Sequence, residues 1–343
     1  MSTTAFTTAS GFGPLPRLLK DMGGPAAVRR VFQKTGLPLD LIDNRTTHIP
    51  IRDMIALFSQ AAIHLGDADF GLRVGAHMSA IDFGPWARYV SAAQNLGAML
   101  ERATKALVYH QTGSEFKVEK NGPSVRWSYT IKSPFAENPQ PCIDHTLQPM
   151  ISLVRLYAGL QWRPSAIEVA YSGSSRRASL ENAFEVPIYF TQHTTTLVIE
   201  RELLSSPQLT PSATLDPVTF GDLRRMVMSP PPRSTAEKAR SIIGLRTRSG
   251  CPDIETVAAE LNTSVRTLQR ELGRDGTRFR DVVQQARFSQ AVRLVAETCR
   301  PFEDISREIG YSDPANFTRA FQHASGMPPS VYRKLHYRES LSV

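Results

Sequence analysis

Apolar residues follow two different spacings in the first 200 residues. Apolar side chains recur every three or four positions in residues 14–36, 50–66, 95–110 and 142–160, a spacing that predicts amphipathic helices. Residues 115–132 instead alternate between apolar and polar around an Asn-Gly-Pro turn, as a β-hairpin does, and residues 165–173 and 194–200 also look like strands. This region is therefore predicted to be an α+β domain with helices on one side of an antiparallel sheet.

The pattern is interrupted after residue 204. Residues 205–217 and 229–234 are rich in Ser, Thr and Pro, and a short helical stretch at 218–228 lies between them. Beyond this point only helical spacing is found. The sequence predicts three parts: an N-terminal domain 1–204, a jointed linker 205–233 with a short helix, and an all-α domain 234–343.

The all-α domain contains two short pairs of helices. In the first, at about 254–273, a helix ends at a tight turn and Ser264 begins the next helix as an N-cap, with Leu268 and Leu272 pointing inward. In the second, at about 303–324, Gly310 supplies the turn and Asp313 the cap. Both pairs have the design of a helix-turn-helix unit.

The second helix of each pair exposes polar side chains. Arginine pairs with guanine in the major groove of DNA, and glutamine or asparagine pairs with adenine. On one short helix such residues are more often a solvated face, but the repetition of the whole unit favours base reading. The candidate DNA-binding residues are Arg266, Gln269 and Arg270 in the first unit and Ala315, Asn316 and Arg319 in the second.

Residues 277–299 separate the two units. An apolar stripe at helical spacing predicts one long linker helix whose buried face is core, and whose role is to fix the distance between the reading helices. The stripe consists of Phe279, Val282, Val283, Ala286 and Leu294.

Charge and composition agree with a nucleic-acid partner. The chain of 343 residues carries a net charge of +8, and from Ser234 onward 17 Lys and Arg stand against 13 Asp and Glu. The C-terminal third is about twice as basic per residue as the rest, which favours double-stranded DNA as the partner.

Other classes of protein find little support. No run of about 18 apolar residues and no signal peptide is present, so we expect a cytoplasmic protein with no membrane contact. Cys142, Cys251 and Cys299 are scattered and odd in number, and Cys142 with His145 has no second pair of metal ligands. Gly11 and Gly13 lack the third glycine of a dinucleotide loop. We therefore expect no cofactor, metal or catalytic residue.

The C-terminal hundred residues resemble the AraC/XylS family of transcription regulators. The resemblance lies in VAAELNTSVRTLQREL, GTRFRDVVQQARFSQAVRLV, DISREIGYSDPANFTRAF and GMPPSVYRK, where the last block carries Gly326, Pro328, Tyr332 and Arg333. It implies a bacterial regulator, expected to be an activator, that contacts RNA polymerase and responds to a small molecule. Ser306 and Ala315 depart from the usual pattern, so the second unit is expected to read fewer bases than the first.

The upstream segments DFGPWARYVSAAQNLGAMLERA and FEVPIYFTQHTTTLVIERELL look like the effector-sensing domain of the ornithine- and arginine-responsive branch of that family. The resemblance implies that residues 1–204 bind a small-molecule effector and contribute to a homodimer. Trp127, Tyr129 and His145 lie on or near the predicted sheet and are candidates for the effector pocket, although aromatic residues there are more often plain core. The alternative function is an enzyme or carrier of a small metabolite that is tethered to DNA.

Overall fold

The computed structural model describes residues 4–132, 138–190, 194–209, 218–227, 230–246 and 252–337. The chain forms two compact units. The N-terminal unit comprises residues 5–35 and 39–231, and the C-terminal unit comprises residues 232–343 with two short segments, one ending at Thr4 and the other Gly36–Pro38. The first unit thus extends beyond the predicted limit at residue 204.

The N-terminal unit is mostly helical, with one larger sheet. Helix α1 is interrupted at Gly24, which has φ of 77° immediately before Pro25, so the regular helix stops and restarts there. The helices are α1 Leu15–Thr35, α2 Ile51–Leu65, α3 Phe70–Ala76, α4 Pro85–Ser91, α5 Leu96–Ala106, α6 Gln140–Ala158, α7 Arg177–Phe184 and α8 Phe220–Met226. The strands are β1 Phe6–Thr8, β2 His48–Pro50, β3 Ser114–Asn121, β4 Ser124–Ile131, β5 Ala166–Val169, β6 Ile188–Phe190 and β7 Thr195–Glu200.

The larger sheet has the strand order β3-β4-β7-β5-β6. The predicted hairpin is confirmed as β3 and β4, which pair antiparallel around Gly122 at φ of 55°. The predicted antiparallel sheet is confirmed for β3, β4, β7 and β5, whereas β5 and β6 at one edge are parallel. Helix α7 connects these two strands, and a parallel pair requires such a crossover. The antiparallel pair β1–β2 forms a second small sheet that the sequence did not predict.

The two edges of the five-stranded sheet differ in composition. Strand β3 is paired on one side by β4, and Glu115, Lys117 and Glu119 along it are exposed and charged. Strand β6, at the other edge, has only three residues.

The core of the N-terminal unit lies on the sheet. Val125 and Trp127 of β4 are opposite Ile199 and Leu197 of β7, and all four side chains are fully buried. Burial of such side chains is the main force that holds the sheet on its helices, at about 25 cal/mol for each Å² of apolar surface. The buried faces of α5 and α6 join the same core.

Helix α8 lies where the sequence predicted a short helix within the linker. Its Leu223 is fully buried in the core of the N-terminal unit, and the ring of Phe220 meets those of Tyr89 and Tyr109 at 5.8 and 5.4 Å. This helix therefore packs on the N-terminal unit. Residues 210–217, 228 and 229 of the predicted linker lie outside the described residues, as does Cys251.

The C-terminal unit is all-α, as predicted. Its helices are α9 Thr235–Arg246, α10 Ile254–Glu260, α11 Val265–Arg274, α12 Phe279–Glu297, α13 Phe302–Glu308, α14 Pro314–Ser325 and α15 Pro329–His336. The predicted linker helix is confirmed as α12, whose Val282, Ala286 and Leu294 are buried.

Candidate functional site

Helices α10 and α11 form the first helix-turn-helix unit. The Asp253 side chain caps α10 by accepting from the Thr256 N–H at 2.8 Å, and the Ser264 side chain caps α11 by accepting from the Thr267 N–H at 3.2 Å. Between them Asn262 adopts φ of 53°, a left-handed conformation that asparagine tolerates better than most residues. These local features fix where α11 starts and therefore which of its faces is exposed.

The exposed face of α11 carries the three predicted reading residues. Leu268 and Leu272 are buried, which leaves Arg266, Gln269 and Arg270 exposed. Within the described part of the chain these three side chains make no hydrogen bond or ion pair. Two arginines with all their N–H groups free, on a helix fixed by its cap and core, suit the bidentate recognition of base edges.

Helices α13 and α14 form the second unit. The Asp313 side chain caps α14 by accepting from the Ala315 N–H at 2.9 Å, and Pro314 occupies the first turn, as predicted. Ala315, Asn316 and Arg319 are exposed. Here, however, the Arg319 guanidinium donates to the Asn316 side-chain oxygen at 2.6 Å. The two polar residues of this face are thus already bonded to each other.

The two units also differ in their cores. The second unit is built on rings: Phe317 and Phe321 are buried, and the ring of Tyr332 from α15 meets Phe321 edge-on at 5.4 Å. Ser306 of α13 is fully buried, and its hydroxyl has no hydrogen-bond partner among the described residues. The departure from the family pattern at this position thus places a polar atom in an apolar core.

Arg333, in the block GMPPSVYRK, connects α15 to the end of α12. Arg333 donates to the backbone oxygens of Val295 at 3.1 Å and Arg300 at 2.8 Å, and its guanidinium lies 4.0 Å from the centre of the Phe302 ring. Arg333 is therefore a structural residue that fixes the end of α12 beside α13.

A cavity within the N-terminal unit is the second candidate site. It is bounded by α2, α6, the amino end of β3 and the carboxyl end of β4, together with the turn after α5. Its volume is about 70 Å³, enough for several water molecules. The residues that line it are Thr7, Gly11, Ile51, Met54, Phe83, Trp86, Leu107, His110, Gln111, Phe116, Tyr129, Ile131, Cys142, His145, Thr146, Pro149, Met150 and Leu153.

Two of the three predicted pocket residues line this cavity. Tyr129 and His145 are wall residues, whereas Trp127 is not. The Trp127 ring stacks on Phe116 at 5.0 Å and is fully buried in the core behind it. The sequence did not single out Trp86, His110 or Gln111, which come from segments that only the fold brings together.

Burial keeps the titratable groups of the cavity wall uncharged at neutral pH. It lowers the pKa of His145 to about 4, against a small opposing effect of nearby backbone groups, and that of His110 to about 4 with a further contribution from His48. Burial also raises the pKa of Tyr129 and of the Cys142 thiol to about 12. Each shift has the sign expected for a group that loses water, because the charged form loses more hydration than the neutral form.

The wall also contains polar atoms. The Gln111 amide nitrogen donates to the Tyr129 hydroxyl at 2.5 Å. The Trp86 ring is held between other rings, 5.7 Å from His110 and 6.1 Å from Phe116. Its Nε1 atom is buried and has no hydrogen-bond partner in the described part of the chain. An indole N–H is a donor only, so this group lacks an acceptor.

A buried ionic network lies on another face of α6. Asp144 accepts from the Tyr171 hydroxyl at 2.5 Å and from the Arg176 guanidinium at 2.6 Å, and Arg176 also bonds Asp69. Burial raises the pKa of Asp144 to about 6, although Arg176 and Tyr171 oppose that shift. The network connects α6 with the segments before α3 and α7.

Among the described residues no group of three His, Cys, Asp or Glu side chains is arranged to hold a metal ion. Within the same ranges, no helix has the length and apolar character needed to cross a membrane.

Both units of the chain contain segments that match known protein families. Residues 26–208, more than half of the chain, match the arabinose-binding N-terminal domain of AraC transcription regulators, and residues 257–335 match a helix-turn-helix domain. The chain is 23% identical over 322 residues to the HTH-type transcriptional regulator VirS of Mycobacterium tuberculosis. The aligned region covers 92% of this chain and 93% of VirS.

Two further relatives come from Pseudomonas aeruginosa. The ornithine utilization regulator is 39% identical over 83 residues, 24% of each chain. The crystal structure of the transcriptional regulator CdpR covers 89% of this chain and 97% of its own at 19% identity, with a TM-score of 0.43. On the family match over residues 26–208 and the helix-turn-helix match that follows it, the chain belongs to the AraC family of transcription regulators, with an effector-binding N-terminal domain and a DNA-binding helix-turn-helix domain.

Proposed function

We propose that this regulator is a cytoplasmic activator that reads promoter DNA with α11 and α14 and takes its effector in the cavity of the N-terminal unit. The observation that carries the DNA part is the pair of arginines on α11, Arg266 and Arg270, exposed on a capped helix and bonded to no other described residue. The two reading helices would enter successive major grooves about 34 Å apart. RNA polymerase and a second copy of the chain are the further partners that the family resemblance implies.

A regulatory role is favoured over catalysis by the chemistry of the cavity. A nucleophilic cysteine requires a lowered pKa, and burial raises the pKa of the Cys142 thiol to about 12. The alternative of a DNA-tethered enzyme or carrier has no observation in its favour. Candidate metabolites recovered unchanged after incubation with the protein would support the regulator, whereas turnover would support the enzyme.

Base reading by α11 is tested by replacing its arginines. Arg266→Ala or Arg270→Ala should lower affinity for the best site by about 1–3 kcal/mol and relax the preference at one or two base pairs. Selection of binding sites from a random pool of duplexes measures this preference. Arg17→Ala, at an exposed position of the N-terminal unit, is the matched control. If both α11 variants selected the same sequence as the unaltered chain, α11 would not read bases.

The division of labour between the units is tested by separating them. The C-terminal unit has its own buried core, so residues 232–343 should fold alone and select the same DNA sequence. An effector bound in the N-terminal unit would change DNA affinity in the full chain only. Affinity is measured for both proteins, with and without effector, at one fixed salt concentration. A response in residues 232–343 alone would place the sensor in that unit.

A further inference from the structure

We infer that the cavity takes an uncharged, mostly apolar molecule that carries a hydrogen-bond acceptor, such as a ketone, an ester or an alcohol. The inference rests on the proposed function, which assigns the effector to this cavity. It goes further in naming the chemical class of that effector.

The described part of the wall carries no ionic side chain. None of the described residues that line the cavity is Asp, Glu, Lys or Arg. Most are aliphatic or aromatic, among them Ile51, Phe83, Met150 and Leu153. An ionic group of a ligand would leave water there without gaining a counter-charge, which is among the most unfavourable transfers in protein chemistry. The wall therefore selects against charged molecules.

The described titratable groups of the wall stay uncharged near neutral pH. Its two histidines, His110 and His145, have a pKa of about 4, and the pKa values of Tyr129 and Cys142 are about 12. At neutral pH no described lining group therefore carries a positive charge to pair with a carboxylate or a negative charge to pair with an ammonium group. Amino acids and polyamines, which carry ions at pH 7, are poorly matched to such a wall.

Trp86 carries a buried donor that is unpaired among the described residues. The Trp86 side chain is a wall residue, only 5% of its surface is exposed, and its Nε1 has no acceptor among the described residues. The neighbouring polar pair, Gln111 and Tyr129, is already bonded. A buried donor without a partner is unfavourable, so a ligand that brings an acceptor gains affinity over a hydrocarbon of the same shape. The acceptor is the feature that separates the inferred class from plain hydrocarbons.

The experiment uses the full-length chain and ligand-observed NMR at pH 7.5. Two scaffolds, cyclohexyl and n-octyl, are each offered as the ketone, the alcohol, the carboxylate and the ammonium ion. On at least one scaffold the ketone or alcohol should bind saturably, and its charged counterparts should bind about a hundredfold more weakly or not at all. Equal or tighter binding of the carboxylate or ammonium ion would overturn the inference. So would the absence of binding by every uncharged probe.

A variant tests the role of the donor. Trp86→Phe removes the N–H and keeps most of the apolar ring, so it should weaken cyclohexanone binding about three- to tenfold and leave cyclohexane unaffected. The control is Trp162→Phe, because Trp162 donates to Glu200 at 3.0 Å and does not line the cavity. If Trp86→Phe lost the same affinity for cyclohexanone and for cyclohexane, Trp86 would have a packing role only. The inferred class would then no longer require a hydrogen-bond acceptor. If Trp86→Phe fails to fold, the series on the unaltered chain still tests the class.

The outcome is separable from that of the proposed function. Probe binding is measured without DNA, and DNA binding is measured without probe. If the chain binds DNA specifically but prefers the charged probes, the proposed function stands and the inferred class of effector is wrong. If the chain binds uncharged probes but selects no DNA sequence, the inferred character of the cavity stands and the proposed function is wrong.

Discussion

The cavity of the N-terminal unit and the exposed face of α11 give opposite electrostatic environments to basic side chains. In the cavity, burial removes charge from His110 and His145 by lowering their pKa to about 4. On α11, Arg266 and Arg270 are exposed, and their N–H groups are free within the described part of the chain. One chain thus holds two environments: a buried apolar wall favours neutral molecules of fitting shape, and exposed guanidinium groups favour anions and directed acceptors.

Salt should separate the two sites most strongly. Raising the salt concentration from 50 to 200 mM should weaken DNA binding about a thousandfold if six phosphates are contacted, because each contact releases condensed counterions. Binding of cyclohexanone by the same chain should change less than about twofold, since neither partner carries charge at the cavity. Titrations at several salt concentrations measure both slopes. If the affinity for cyclohexanone fell with salt as steeply as the affinity for DNA, the cavity would not be a neutral site.

Acid should destabilise the N-terminal unit by the next largest amount. The pKa of His48, His110 and His145 is about 4 in the folded chain. Their ordinary value in an unfolded chain is about 6.5, so the unfolded state takes up protons first as the pH falls. Stability is fully present above pH 6.5 and is lost as the pH falls toward 4, by about 1.4 kcal/mol per pH unit for each histidine. Asp144 has the opposite sign, since its folded pKa of about 6 lies above its ordinary value.

Urea unfolding followed by tryptophan fluorescence measures this effect, because Trp86, Trp127 and Trp162 all lie in the N-terminal unit. The expected loss in the free energy of unfolding is on the order of 2–3 kcal/mol between pH 6.5 and 5.5. His145→Phe, which preserves a ring stacked on Phe58, should reduce the slope by about a third. An unfolding midpoint that stays constant over this interval would mean that these histidines are not held neutral by burial.

The smallest expected effect is a difference in DNA affinity between variants of α11 and of α14. Arg319→Ala in α14 should lower DNA affinity by less than about 1 kcal/mol, because Arg319 already donates to Asn316 and must give up that bond to reach a base. Arg266→Ala in α11 serves as the reference, with a loss of about 1–3 kcal/mol. Competition binding to one duplex compares the two variants. A loss for Arg319→Ala as large as that for Arg266→Ala would show that the pair with Asn316 opens on DNA.

The sequence predicts the C-terminal unit better than the N-terminal unit for a physical reason. A helix-turn-helix unit is local: Ser264 and Asp313 cap helices within three residues, and Leu268, Leu272, Phe317 and Phe321 follow helical spacing. Each of these features can be seen within some twenty residues of sequence. Their role in reading bases stays a prediction, since exposure alone does not distinguish a reading face from a solvated one.

The cavity depends on contacts between distant segments. Its wall runs from Thr7 to Leu153, and Trp86 and Gln111 meet there through folding alone. Along β4, Trp127 and Tyr129 share one face of the strand, yet the middle of the sheet buries Trp127 and the end of the strand leaves Tyr129 at the cavity. The parallel strand β6 was missed because three residues are too short to show a period.

The charged strand β3 limits how copies of this regulator can associate. An open edge of a sheet is a template for pairing with another chain, and exposed charged side chains such as Glu115, Lys117 and Glu119 discourage that pairing. The opposite edge strand, β6, is three residues long within the described part of the chain, which is short for a continuous ladder. Association of two copies by strand pairing is therefore disfavoured at both edges of this sheet.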